Sequence, residues 1–62
     1  MKTKFLYGCK VKVINGFYKG LKGTVVDYCK TDGIFENDKY YVVSNGIRQW
    51  LDENLLEKDY NE

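Results

Sequence analysis

The 62-residue chain contains no histidine, so the side chain that most often serves as a general acid or base near neutral pH is missing. The sequence also has neither a phosphate-binding loop of the Walker type nor a nucleophile-elbow motif. We therefore expect a protein that is not an enzyme, has no catalytic residues and needs no cofactor.

Cysteine is also scarce, because the chain has only Cys9 and Cys29. Two cysteines do not make a disulfide framework, and without histidine they supply only half of the ligands of a structural zinc site. We expect reduced thiols and no metal. If the first two strands pair symmetrically about Lys19, the two cysteines lie opposite each other, and we predict that they are neighbouring but reduced thiols. A one-residue shift or a bulge in the glycine-rich loop would separate them.

No apolar run comes near the roughly 20 residues that a membrane-spanning helix requires, and residues 1–5 lack the apolar stretch of a signal peptide. The sequence also shows no heptad repeat. These absences predict a soluble, cytoplasmic protein that does not bind membranes and is a monomer.

The composition itself is globular, with 44% hydrophobic, 31% charged and 16% aromatic residues. A chain this short buries only about 60% of the surface that its unfolded form exposes, so it can build one compact core. We expect a single domain over residues 1–62, with frayed ends at about 1–5 and 58–62.

The near-neutral net charge of +1 hides an uneven distribution. Residues 1–30 hold seven lysines against a single acid, Asp27, whereas residues 31–62 hold three basic residues and eight acidic ones. Two explanations remain open. Either the halves interleave, so that opposite charges meet across strands, or the first half forms a basic face.

Period-two alternation marks the first strand. The segment Lys10–Ile14 alternates charged and apolar residues, which predicts that Val11 and Val13 face the core while the lysines face solvent. A glycine-rich loop follows, and residues 24–29 are rich in the β-branched and aromatic side chains typical of a second strand.

The second half predicts a hairpin. Residues 40–44 and 47–51 read as strands on either side of Asn45-Gly46, the strongest short hairpin signal. Asp52 then caps one short turn, after which Leu55 or Leu56 returns to the core. Short strands with regularly spaced turns predict an all-β, five-stranded barrel.

The first hairpin contains the pattern Val11-x-Val13-x-x-Gly16-x-x-Lys19-Gly20-x-x-Gly23-x-Val25, and the last part contains Tyr41-Val42 followed by Trp50-Leu51-x-Glu53-x-Leu55. The first pattern resembles the KOW motif of bacterial transcription elongation factors and several ribosomal proteins, and the second is similar to the closing strands of SH3-like barrels. The resemblance implies a small five-stranded SH3-like barrel with a short 3-10 turn near the C-terminus. It also implies a module that docks onto RNA, a ribonucleoprotein or the transcription machinery.

The candidate nucleic-acid site is the basic first hairpin, with Lys10, Lys12, Phe17, Tyr18, Lys19 and Lys22. Its lysines occupy outward strand positions and the loop, where they can contact phosphates and release counterions. The two aromatic residues either stack on unpaired bases or cover the open end of the barrel as part of the core.

The alternative function is a protein-docking adaptor, which the acidic second half and the single arginine leave open. Arg48 and Trp50 share one face of the fourth strand, and Trp50 is either an exposed anchor or core. Ile34 and Phe35 lie in a long loop, where they either become ordered by a partner or pack back on the sheet. A compact, lysine-rich module of this kind suits a small accessory protein of a bacterium or a bacteriophage.

Overall fold

The computed structural model describes residues 4–31, 33 and 37–60. The chain forms β1 (Lys10–Val13), β2 (Lys22–Cys29), β3 (Lys39–Ser44), β4 (Ile47–Asp52), a 3-10 turn (Glu53–Leu55) and β5 (Leu56–Lys58). Neighbouring strands are all antiparallel, in the sheet order β4-β3-β2-β1-β5. The candidate residues Ile34 and Phe35 lie outside the described residues.

A single cluster of buried side chains forms the core: Phe5, Val11, Val13, Val25, Tyr40, Val42, Leu51 and Leu56. It joins Leu51 of β4 to Leu56 of β5, although these strands are at opposite ends of the sheet order. In a flat sheet they would be about 19 Å apart, so the sheet must curl around the cluster. The predicted all-β class, with five strands around one core and a short 3-10 turn near the C-terminus, is confirmed.

The alternation in β1 works as predicted. Val11 and Val13 are buried, and the strand ends at Val13. The next amide, that of Ile14, donates to the carbonyl oxygen of Leu55 over 2.8 Å and so ties the end of β1 to the 3-10 turn.

Gly23 in β2 marks a close approach between β2 and β3. A Cβ atom on this residue would lie 2.7 Å from Cγ1 of Val42 and 2.7 Å from the carbonyl oxygen of Val43. Real Cβ atoms do not come this close to a backbone oxygen, so the position requires glycine. The sheet also bends nearby, at a register shift between Val25 and Asp27.

The predicted β3–β4 hairpin is confirmed. Asn45 and Gly46 have φ angles of 46° and 88°, which is the pair of positive angles that a two-residue type I′ turn needs. Ser44 pairs with Ile47, so the turn contains only those two residues. β4 continues one residue past the predicted end, to Asp52.

Asp52 caps the 3-10 turn as predicted, because its carboxylate accepts a hydrogen bond from the amide of Asn54 (3.1 Å). Of the two leucines proposed for the core, Leu56 is buried and Leu55 is half-buried against the cluster.

The expected fraying at residues 1–5 and 58–62 does not reach Phe5 or Lys58. Phe5 is buried with its ring edge-on to Tyr40, and the Tyr40 hydroxyl accepts hydrogen bonds from the amides of Lys4 (2.8 Å) and Phe5 (3.3 Å). Lys58 pairs with Val11 in the β1–β5 ladder. The positions 1–3 and 61–62 lie outside the described residues.

The prediction that Cys9 and Cys29 are neighbours is wrong. The amide of Val25 donates to the carbonyl oxygen of Cys9 (3.0 Å), so the β1–β2 hairpin is centred on Phe17 and not on Lys19. Cys29 pairs instead with Lys39 of β3, about 13 Å farther along β2 than Val25. Both cysteines are free thiols.

Candidate nucleic-acid interface

The side chains that point away from the core form the outer face of the sheet. Paired residues of antiparallel strands project to the same side, and successive residues of a strand project to opposite sides. The registers therefore place these residues on the outer face: Lys10, Lys12, Lys22, Thr24, Asp27, Tyr41, Val43, Arg48, Trp50 and Glu57. Residues that the sequence assigned to two separate candidate sites share this one surface.

One row of paired positions crosses four strands of the outer face through Arg48, Val43, Thr24 and Lys10. We call it the cationic row. The ammonium group of Lys10 donates to Oγ1 of Thr24 over 3.3 Å. Three strand spacings separate the backbones of Arg48 and Lys10 by about 14 Å, so the row carries a positive charge at each end.

Next to this row, Lys12 and Lys22 lie directly opposite each other. Like charges in such a pair are destabilising. Glu57 of β5 partly compensates, because its carboxylate is 3.5 Å from the ammonium group of Lys12 in an exposed ion pair worth about 0.2–1 kcal/mol. The two halves of the chain thus neutralise each other in part, while Lys22 stays exposed.

A shallow groove of about 490 Å³ runs between the first hairpin and the β3–β4 turn. Its polar lining includes Lys10, Lys22, Thr24, Ser44, Asn45 and Asp59. Ammonium, hydroxyl and amide groups are the donors that proteins use to hold phosphate and sugar oxygens. The carboxylate of Asp59 is the one acidic group among these lining residues.

Phe17 and Tyr18 sit at the tip of the first hairpin and behave differently. Phe17 is 94% exposed, so its interpretation as a cover for the core is wrong, whereas Tyr18 is half-buried against the core. The loop closes through a hydrogen bond from the amide of Gly20 to the carbonyl oxygen of Val13 (2.8 Å). Tyr18 and Leu21 fill the space beneath the loop, and Phe17 is left in solvent beside exposed Lys19.

Trp50 faces outward, so the alternative in which it belongs to the core is wrong. Its neighbour Leu51 takes the core position, and Trp50 is 43% exposed with its ring centroid 4.9 Å from that of Tyr41. Tyr41 also pairs with Asp27 of β2, which gives a second row of paired positions. We call Trp50, Tyr41 and Asp27 the aromatic row.

The loop after β2 is fastened by a hydrogen bond from the hydroxyl of Tyr28 to the carboxylate of Asp38. The same carboxylate accepts from the amide of Thr31 over 3.2 Å. The Tyr28 bond is the main reason why the pKa of Asp38 is lowered, and together with desolvation it raises the pKa of Tyr28 to about 12. This bond anchors the base of the loop that contains the alternative candidates.

Thr24, Ser44 and Asn45 line the groove as further candidate interface residues, which the sequence did not single out. The outward position of Thr24 follows from the alternation in β2, but Ser44 and Asn45 approach the lysines only through the β2–β3 register. The local sequence contains no signal that predicts which residues of β2 and β3 pair with each other.

Over the described parts of the chain, no three histidine, cysteine or acidic side chains converge on a possible metal site. Nor do those residues include a helix long and apolar enough to cross a bilayer. Comparisons with protein-family models, with curated proteins and with solved structures find no match to this chain.

Proposed function

We propose that this protein is a non-catalytic module that binds nucleic acid, free or within a ribonucleoprotein or transcription assembly, through its first hairpin and the groove beside it. The observation that supports this function best is the directly opposed pair of Lys12 and Lys22 on the outer face. The pair costs stability in the free protein, and a phosphate between the two ammonium groups would relieve that cost.

The groove supports the same proposal. It continues from Lys22 past Thr24 to Lys10, so the lysines and hydroxyls line one path. At the loop end of this path, the exposed Phe17 and Lys19 offer a stacking surface and a further cation. The resemblance to KOW modules agrees with a nucleic-acid or ribonucleoprotein partner.

The first test is a titration of the protein with short RNA and DNA oligonucleotides over a series of salt concentrations. Each phosphate contact contributes about 0.7 to the slope of log K against log salt for a single strand and about 0.9 for a duplex. Lys22→Ala should reduce the slope by about that amount.

Lys58→Ala is the matched control, because Lys58 is equally a lysine in a strand but pairs with the core-facing Val11 and lies off the outer face. It should leave the slope unchanged. If the parent protein binds and Lys22→Ala binds with the same salt slope and the same affinity, the assigned site is contradicted. No binding even at low salt would contradict the function and direct the search to a protein partner.

A further inference from the structure

We infer, on the basis of the proposed function, that the nucleic acid is single-stranded and crosses the outer face, with its phosphates along the cationic row and a base stacked on Trp50. The cationic row and the aromatic row support this inference by their placement. They bring together Lys10, a residue of the candidate nucleic-acid site, and Arg48 and Trp50, residues of the candidate protein-docking site.

The two rows lie side by side. On β3, Val43 and Tyr41 are two residues apart, and on β4 Arg48 and Trp50 are two residues apart. Two residues of a strand span about 6.6 Å, which is comparable to the distance from a phosphate to the centre of its base. A nucleotide whose phosphate lies on the cationic row can therefore place its base over the aromatic row.

Charge selects which row takes the phosphates. The cationic row has Arg48 and Lys10 at its ends and keeps a net positive charge with Asp59 beside Lys10, whereas the aromatic row contains no cation and ends in the carboxylate of Asp27. This carboxylate accepts hydrogen bonds from the amide of Tyr28 (2.8 Å) and the hydroxyl of Tyr7 (3.4 Å). It repels phosphates from the aromatic row and leaves that row to bases.

The exposed aromatic side chains favour a single strand over a duplex. Stacking on a side chain requires a base whose face is free, and the bases of a duplex are already covered by their neighbours. Trp50 is 43% exposed with Tyr41 supporting its ring, and Phe17 is 94% exposed at the hairpin tip. In the free protein Phe17 is almost fully exposed and Trp50 partly exposed, and a stacked base would cover these exposed parts.

The test compares a labelled single-stranded octanucleotide with the same strand annealed to its complement, with fluorescence anisotropy as the measurement. Trp50 is the only tryptophan, so its emission reports directly on the aromatic row. We expect the single strand to bind more tightly than the duplex and to quench Trp50 emission.

Trp50→Thr should weaken single-strand binding about 5- to 150-fold, the range found when one stacking side chain is removed, and should leave the salt slope unchanged. Phe17→Ser gives a second variant at a position outside the core, in case Trp50→Thr folds poorly, and we expect weaker binding from it as well. Tyr60→Ser is the control, because Tyr60 is an exposed aromatic residue whose ring lies under the ammonium group of Lys58, and Lys58 is off the outer face.

Three results would overturn the inference. Equal binding of duplex and single strand would refute base stacking. Unchanged affinity in folded Trp50→Thr and in Phe17→Ser would refute it as well. In either case, a reduced salt slope in Lys22→Ala would still support the proposed function. Absence of binding to either oligonucleotide at low salt would refute both.

Discussion

Replacement of Gly23 by alanine should lower the free energy of unfolding by about 1–3 kcal/mol, the usual cost of forcing an extra carbon into a packed site. The new Cβ would meet Cγ1 of Val42 and the carbonyl oxygen of Val43, each at 2.7 Å. The valine methyl group can move by a few tenths of an ångström, but the oxygen belongs to β3, which is paired on both sides. In a domain of this size the change corresponds to a fall in Tm of about 5–20 °C, measurable by circular dichroism.

Lys22→Ala is the matched control, because it introduces alanine one position away on the solvent-facing side of the same strand and should change stability by about 0.5 kcal/mol or less. Combining Gly23→Ala with Val42→Ala relieves the contact with the methyl group, so the double variant should lose less stability than the two single losses added together. A Tm of Gly23→Ala within about 2 °C of the parent would refute the close-approach argument.

Two further predictions concern the loop and the core. Below the ordinary pKa of an aspartate, stability should fall as pH decreases, because the lowered pKa of Asp38 stabilises its ionised form in the fold. Above pH 10, stability should also fall as the pH approaches 12, because the hydrogen bond from Tyr28 to Asp38 requires the protonated phenol. Tyr28→Phe should weaken both dependences in urea unfolding at several pH values, and an unchanged profile would disprove this assignment. Leu56→Ala should cost about 2–5 kcal/mol in the same assay and Leu55→Ala clearly less, since only Leu56 is buried. Equal losses would contradict this placement of the core.

The features that the sequence predicted correctly are those whose causes lie within a few residues. The positive φ angles of Asn45 and Gly46, the alternation around Val11 and the cap at Asp52 each depend on local backbone and side-chain chemistry. These local patterns were sufficient to locate β1 to β4 along the chain, whereas the fifth strand was expected only from the size of the domain and was not placed at residues 56–58.

The β1–β2 register could not be predicted, because it depends on how the loop closes over Tyr18 and Leu21. The closure is centred on Phe17 in place of Lys19, which separates Cys9 from Cys29 and leaves the Phe17 ring exposed. The outward side chain of Trp50 has a similar cause. Tyr40 and Leu51 already fill that part of the core, and such competition for volume is not visible in a strand pattern.

The KOW-like pattern illustrates why fold was easier to predict than function. Its valines are core residues, Gly16 and Gly20 have positive φ angles, and Gly23 is required by the β2–β3 approach. Lys19 is the only residue of the pattern that is exposed and charged. The pattern therefore specifies a hairpin, and apart from Lys19 the residues of the proposed binding site lie outside its fixed positions.

The pairing of β1 with β5 has a consequence for how the chain is made. β1 receives its second neighbour, and the core receives Leu56, only when residues 56–58 are present. While this stretch is still being translated the sheet is incomplete, because β1 pairs only with β2 and the core lacks Leu56. We therefore expect the sheet and the core to be completed only after residues 56–58 have left the exit tunnel, and the incomplete sheet to be the form of the nascent protein that is most exposed to proteases and chaperones.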